Sequence, residues 1–374
     1  MATVRLRHDG LTLTLLPMVF FVSMAIAPST AVKSTDIGRT RGTDQATSLA
    51  TTLWLSNVAS PIAASHPKRD RRMKVDKLRQ SLPTPAPLTP FHWSAVAREG
   101  IWSPTGRVVR GEAAIYETTL VPPGGDQRAG IAWMDTRLLS ARLYSGSNSP
   151  GGGPYRFTAP VQSAQAASLV AAFNGGFVMK VAGGGYYTEG RMIDPLLPGA
   201  ASLVIYADGS VNVGTWGRNF KMTRSVVTVR QNLAPLVENG RPTPQAQSPN
   251  WQIWGATCGA ASCAGAVAGI EHQWRSGVGV TADRALVYCA GPALDPMQLA
   301  RLLVRAGVVR GMQLDINPDW PDFATYDPST PGGLAAPSNG SKLISTTVQG
   351  PWTFFEPWWA RDFITMSERT ARRG

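Results

Sequence analysis

Few places in this 374-residue chain bring together side chains that can move a proton or hold an anion. One is Gly311-Met-Gln-Leu-Asp315-Ile-Asn317-Pro-Asp319-Trp320, an apolar run that ends in acids and an amide. In an extended chain residues two apart point the same way, so Asp315, Asn317 and Asp319 are expected to share a face. Such a triplet can place a general base or bind a divalent cation. It is not an EF-hand calcium loop, because its sixth position is Trp320 instead of Gly and its twelfth is Tyr326 instead of Glu. The competing reading is a polar strand end whose Asp and Asn bond their own backbone.

A second place is Ala171-Ala-Phe-Asn174-Gly175-Gly176-Phe177, an apolar run that breaks into Asn and paired glycines, with more glycine at Gly183-Gly184-Gly185. Without a Cβ, backbone N–H groups can approach an anion closely, although such dipeptides also mark simple turns. A third is Glu271-His-Gln-Trp-Arg275-Ser-Gly-Val-Gly279, where Arg275 precedes a small, apolar run. Its guanidinium could offer forked donors to phosphate or could be a surface arginine at a strand start. Glu189 and Asp194, beside Tyr186 and Tyr187, are further acidic candidates.

The elements that must position these groups are mostly short extended runs punctuated by glycine. Strands are expected at 113–121, 130–134, 225–230, 277–281, 285–290 and 311–316, and 202–207 meets 210–214 across Asp208-Gly209 as a hairpin. Two helices are expected. One covers 160–167 and feeds an apolar run to Phe173. The other starts at Asp295 as N-cap with Pro296 in its first turn, ends near Gly307, and carries a stripe of Met297, Leu299, Leu302, Leu303 and Ala306. Strands outnumber helices and do not alternate with them, which predicts an α+β domain: a mixed, mainly antiparallel sheet with a few packed helices.

These segments, in this order, resemble the phosphodiester glycosidase family. The likeness rests on Asn174-Gly-Gly-Phe177, the Asp208-Gly209 hairpin, Arg275-Ser-Gly-Val-Gly279 leading to Thr281-Ala-Asp-Arg284, and the helix from Asp295 feeding Gly311-Met-Gln-Leu-Asp315. It covers 169–326, with 113–168 a weaker extension. It implies hydrolysis of a sugar-1-phosphate diester at the sugar C–O bond. Asp315, Arg275 and Asn174 are then the expected catalytic residues. Asp315 would activate water or stabilise an oxocarbenium-like centre, Arg275 and the N–H groups of Gly175 and Gly176 would receive the departing phosphate, and Asn174 would orient a sugar hydroxyl or the carboxylate. Phe177, Asn317, Asp319 and Glu189 are the expected substrate contacts beside the glycines. Where the family carries a run of glycines and a serine after the last aspartate, this chain has Ile316-Asn-Pro-Asp-Trp320. That departure motivates the rival expectation of a non-catalytic carbohydrate-binding or wall-associated protein on the same fold.

Composition sets the outer limits. With 43% hydrophobic and 16% charged residues the chain can bury a core and is not a disordered polymer. Its formal charge of +12 suggests a polyanionic partner, but residues 1–90 hold 12 Lys/Arg and 5 Asp/Glu, so most of the surplus lies in the first quarter of the chain. There Arg5 and Arg7 precede an uncharged run from Leu11 to Ala27, with Ser29 and Ala31 placed as at a cleavage site. That pattern predicts export, with 1–31 a signal peptide or membrane anchor. Residues 32–90 are expected to be a basic, Pro-rich disordered linker, attracted to anionic head groups or wall polymer or simply solvated. The folded domain is expected over 91–374. Nucleic acid is disfavoured, because the basic run lacks interleaved aromatics. The expected partner is a phosphate-linked glycan or polysaccharide of the cell envelope.

Cys258 and Cys263, separated by four small residues, are expected to bridge, and Cys289 to be a buried thiol in a strand. No metal-ligand spacing joins the four histidines to a cysteine pair, so no cofactor is read from the chain beyond a possible divalent cation at the acidic triplet. Trp251, Trp254, Trp352, Phe354, Phe355, Trp358 and Trp359 offer faces for sugar stacking or for core burial.

Overall fold

The computed structural model describes residues 81–92, 97–247, 251–255, 271–330 and 332–370, all of which fall within one compact unit, Ser65–Gly374. The signal or anchor expected over 1–31, nearly all of the linker expected over 32–90, and the Cys258–Cys263 bridge lie outside the described residues.

Three sheets carry the fold. The largest runs in the order β1 (Ser103–Val109), β2 (Glu112–Leu120), β3 (Ala129–Met134), β14 (Leu286–Leu294), β13 (Gln273–Thr281), β15 (Val308–Ile316), β11 (Val237–Glu238) and β12 (Arg241–Pro242). The second is β7 (Arg191–Asp194), β6 (Tyr186–Thr188), β10 (Val226–Gln231), β8 (Ala201–Tyr206) and β9 (Val211–Thr215). The third is β17 (Gly340–Lys342), β16 (Phe323–Tyr326), β5 (Leu169–Asn174), β18 (Phe363–Glu368) and β4 (Leu139–Tyr144). Every strand pairing among the described residues is antiparallel. The expected mixed sheet is therefore corrected to three antiparallel ones, with only isolated bridges such as Ser145–Thr158 running parallel.

The three sheets share one core. Ile115, Met134 and Leu314 from the first sheet meet Leu203 and Val213 from the second and Val170, Phe173 and Ile364 from the third. Covered on both faces, β3 and β5 are apolar at nearly every position and buried throughout, where a half-exposed strand would alternate. Fully burying one such Leu, Ile or Phe contributes roughly 1.5–3 kcal/mol. Cys289 lies in β14 with no exposure, as expected for a structural thiol.

Three α-helices are described: α1 (Ser163–Ala166), α2 (Pro244–Gln247) and α3 (Pro296–Arg305). The helix expected over 160–167 thus shrinks to one turn before β5. The longest, α3, obeys its sequence signals. Asp295 Oδ1 accepts the Gln298 N–H at 2.6 Å while Gln298 Oε1 accepts the Asp295 N–H at 2.9 Å, a reciprocal capping box. Leu299, Leu302 and Leu303 form its buried stripe, and Gly307, at φ +86°, takes the left-handed conformation that ends it. The chain then returns as β15, antiparallel to β13.

The end of the expected linker is bound to the domain. Leu88 N–H donates to Gly100 O at 2.9 Å, Trp102 Nε1 to Ala86 O at 2.9 Å, and Leu82 N–H to Asp135 Oδ2 at 2.6 Å. Among the described residues, contacts with the rest of the fold reach back to Ser81, whose O accepts from Arg137 Nη1 at 3.4 Å.

Candidate active site

Four strand ends, drawn from three stretches of the chain distant in sequence, meet at one place. In the third sheet β16 and β18 both run antiparallel to β5, so their beginnings lie beside its end: Phe323 pairs with Phe173, and Phe363 with Asn174. The residues that precede those strands, Asp322 and Asp362, therefore flank Asn174. From the first sheet, β15 ends with Asp315 next to the same point. The resulting pocket is lined by Asn174, Gly175, Gly176, Asp315, Asp322 and Asp362, with Thr353, Phe354, Trp320, Trp359 and Arg361 completing it. It holds about 260 Å³ of empty space, part of it open solvent, of which the centre of a water can occupy about 10 Å³, room for about one water.

Asn174 joins the two halves of this site. Its Oδ1 accepts the Asp322 N–H at 3.1 Å and the Tyr288 hydroxyl at 2.8 Å. Its Nδ2 donates to Gly175 O at 2.8 Å and to Ser276 Oγ at 3.1 Å, and Ser276 Oγ in turn accepts the Asp315 N–H at 3.2 Å. One amide thereby ties the backbones of both acid-bearing segments. With its side chain committed to these bonds, Asn174 positions the carboxyls and has little capacity left for a sugar hydroxyl.

The three carboxyls sit in different surroundings. Asp362 is sealed: Arg230 Nε reaches its Oδ2 at 2.8 Å, both side chains being at most 1% exposed, and Arg230 also donates to Gln231 O and Phe177 O. The glycine pair makes room for this ion pair. A Cβ on Gly175 would lie 2.3 Å from Asp362 Oδ2, and one on Gly176 would lie 2.6 Å from Asn232 Oδ1 and 2.9 Å from the Arg230 guanidinium. The Gly175 N–H donates to Asp362 O at 2.8 Å, so it is committed within the protein.

Asp315 is buried, accepts the Ile316 N–H at 2.8 Å on Oδ1 and pairs with Arg361 Nη2 on Oδ2. Burial outweighs the opposing pull of Arg361 and pushes this carboxyl up to about 7. Arg361 also donates to Gly176 O at 3.2 Å and lies over the Trp320 ring, 4.4 Å from its centroid. Trp359 packs against Trp320 at 6.0 Å.

Asp322 is 2% exposed, and neither of its carboxylate oxygens has a hydrogen-bond partner. Burial pushes it up to about 8, with Thr353 and Lys342 opposing.

The other expected site residues fall elsewhere. Arg275 is fully buried, and its donors go to Leu294 O at 2.7 Å, Trp254 O at 2.8 Å, Gln313 Oε1 at 3.0 Å and Glu271 O at 2.9 Å. It bolts β13 to its neighbours and does not line the pocket. Phe177 packs with Ala182 and Ile316. Glu189 caps the Arg156 and Phe157 N–H groups at 3.0 Å each, on the exterior. The strand carrying Asp315 ends at Ile316 because Asn317, at φ +69°, turns the chain, and Asn317 Oδ1 accepts the Asp319 N–H at 2.8 Å. The expected shared face of Asp315, Asn317 and Asp319 is thereby broken: Asp315 faces the pocket and Asp319 the solvent. Among the described residues no group of three or more His, Cys, Asp or Glu side chains is arranged to hold a metal ion.

Sequence reasoning missed Arg361, Asp362, Asp322 and Arg230. For Asp322 a local signal existed, an acid one residue after Pro321 and directly before the apolar run Phe323-Ala-Thr-Tyr326. Arg361-Asp362 similarly stands directly before Phe363-Ile-Thr-Met366.

No family model and no curated protein matches the chain. Among solved structures it is similar to the catalytic domain of zebrafish N-acetylglucosamine-1-phosphodiester alpha-N-acetylglucosaminidase, auto-inhibited by its pro-peptide, at TM-score 0.40 and 14% identity over 76% of this chain and 87% of that one. It is also similar to a hypothetical protein from Synechocystis, at TM-score 0.38 and 10% identity over 71% of this chain and 64% of that one. Likeness of this degree carries nothing further about function.

Proposed function

We propose that this chain is an exported hydrolase that cleaves the sugar C–O bond of a sugar-1-phosphate diester in a cell-envelope glycan. The observation that supports it best is the pairing of a buried carboxyl, Asp315, with a partly exposed arginine, Arg361, under two tryptophans. An arginine between a carboxylate and an aromatic wall is placed to offer the rest of its planar fork to an incoming phosphate while it keeps the carboxylate. Asp315, held ionised by Arg361, takes a proton from the water that attacks the anomeric carbon, while the C–O bond breaks and its electrons leave with the phosphate. Trp320 and Trp359 supply apolar faces for the sugar ring. Asn174, Gly175 and Gly176 keep the roles their bonds show: Asn174 orients the acid-bearing segments, and the glycines let the Arg230–Asp362 pair pack beneath. Arg361 thus takes the phosphate-binding part that the family resemblance implied for Arg275.

The narrowness of the pocket and the neutralisation of Asp315 by Arg361 favour one rival, a carbohydrate-binding protein without turnover. Incubating the full chain with a panel of methyl glycosyl-1-phosphate diesters separates the two. Release of free sugar and methyl phosphate by the wild type, lost in Asp315→Asn, is expected. Glycan binding with no release from any diester would sink the hydrolase.

A further inference from the structure

Of the carboxyls that line the pocket, two have partners of opposite charge and one has none. Asp362 is locked by Arg230 and Asp315 is paired with Arg361. Asp322 lies inside the same wall, 2% exposed, with both oxygens lacking hydrogen bonds. A buried polar group without a partner costs about 1–3 kcal/mol and calls for a reason, a catalytic role among them. Chance does not explain its placement. Asn174 bonds its backbone from both sides, accepting the Asp322 N–H at 3.1 Å and donating its own N–H to Asp322 O at 3.0 Å. Through Ser276 the same amide secures the segment bearing Asp315. The Thr353 hydroxyl, which bonds Gln349 Oε1 at 3.3 Å, the Phe323 N–H and Lys342, whose Nζ bonds Thr347 O at 2.7 Å, all favour the charged form of Asp322, but burial outweighs them.

We propose that Asp322 is the proton donor of the site, acting as the second carboxyl of an acid–base pair with Asp315. This rests on the hydrolase reading above. Asp322 as the neutral acid gives its proton to the bridging oxygen of the phosphate as the anomeric C–O bond breaks. Water adds to the anomeric carbon and passes its proton to Asp315. The products are the free sugar and a phosphomonoester, and exchange with solvent returns each carboxyl to its starting state. Protonation matches the physics of this leaving group, because a phosphodiester departing from carbon becomes a dianion, and a proton spares the low-dielectric pocket its second charge.

The surroundings keep the two carboxyls in different states. Asp322 is in electrostatic reach of Lys342 on β17, Tyr288 on β14 and Tyr326 on its own strand, with Asp315, Arg361 and Asp362 across the pocket. Burial dominates, and its carboxyl is pushed up to about 8 while that of Asp315 is pushed up to about 7. The arginine at Asp315 favours its ionised form and the lack of an ion pair at Asp322 favours its neutral form, which assigns the base and the acid.

The test measures the pH dependence of kcat for the full chain on a hydrolysed methyl glycosyl-1-phosphate diester, with Asp322→Asn and Asp322→Glu alongside. The wild type is expected to lose activity above about pH 8. Asp322→Asn should lower kcat by about 100-fold with KM within a few-fold, and abolish the alkaline limb, while Asp322→Glu restores part of both. Circular dichroism checks that each variant is folded. An Asp322→Asn protein with wild-type kcat and an unchanged alkaline limb overturns the proton donor and leaves the hydrolase standing. Failure of the wild type on every diester overturns both. Independently of turnover, the infrared difference between wild type and Asp322→Asn at pH 7 should contain the carbonyl stretch of a protonated carboxylic acid, and its absence overturns the stored proton.

Discussion

Two arginine–aspartate pairs lie at the same pocket, and their difference separates scaffold from site. Arg230–Asp362 is sealed, with side chains 1% and 0% exposed, and every polar contact of its guanidinium is to protein. Arg361–Asp315 stands at the opening, 12% and 5% exposed, one face of the arginine on Trp320. The chemistry of the pairs is identical. What differs is whether a ligand can reach the arginine: the sealed pair is closed off, whereas the open one can take a phosphate beside its carboxylate. Arg275 belongs with the sealed pair, since backbone carbonyls and one amide take its donors.

The largest effect should come from the sealed pair. Arg230→Ala leaves Asp362 as a buried, uncompensated charge and should lower unfolding free energy by about 3–5 kcal/mol, measured by denaturant titration. A loss below 1 kcal/mol would erase the distinction drawn between the pairs. At the open pair the damage should be to turnover. Arg361→Ala should cut kcat/KM on a phosphodiester substrate by about 10²–10³. Its stability cost should stay near 1 kcal/mol, because Asp315 can take up a proton once its partner is gone. The acid limb of the rate profile should move to higher pH in the same variant, since Arg361 opposes the upward push on Asp315.

Gly176→Ala is expected next in size. Its methyl group would meet Asn232 and Arg230 at under 3 Å, and overpacking of this kind costs about 1–3 kcal/mol. Thermal unfolding should show the loss, with KM for the diester changing less than Tm would suggest if the glycine serves packing and not anion approach.

The pH dependence of stability probes the two remaining carboxyls of the pocket. Asp315 and Asp322 have ordinary carboxyl values when unfolded and are pushed up to about 7 and about 8 when folded. Between those limits the folded state binds more protons, so stability must fall as pH rises from about 4 to about 8 and be fullest below that window. Replacing both by Asn should flatten most of the decline. Glu117, also pushed up to about 7 by burial, should leave a residual slope, which serves as an internal control.

Much of the fold was legible from local signals. The Asp208-Gly209 hairpin forms with Ala201 opposite Thr215, and α3 begins at its Asp295–Pro296 signal. The strands at Val226–Gln231 and Val308–Ile316 lie close to their expected bounds. Strands β1, β4, β16 and β18 were not legible, nor were the shorter β6, β7, β11, β12 and β17. The short ones, two to four residues long, exist because neighbours offer hydrogen-bonding edges. For the same reason the alternation rule failed past Asp315: it assumes an extended backbone, and Asn317 leaves it.

At the candidate site, Asp315 stood out in the sequence as an acid closing an apolar strand, and it lines the pocket. The glycine pair after β5 stood out as well, readable as a place of close approach or as a simple turn. Which groups it approaches was decided by tertiary structure, since Asn174, the Asp315–Asp322 stretch and Asp362 are distant in the chain and meet only because β15, β16 and β18 are laid against the end of β5 and β13. Tertiary structure also decided which arginine faces the pocket. A guanidinium has the same donors wherever it occurs, and its role is set by the acceptors that packing puts around it. The same holds for the carboxyls: residue type makes them acids, but only the walls that exclude water determine which of them keeps its proton.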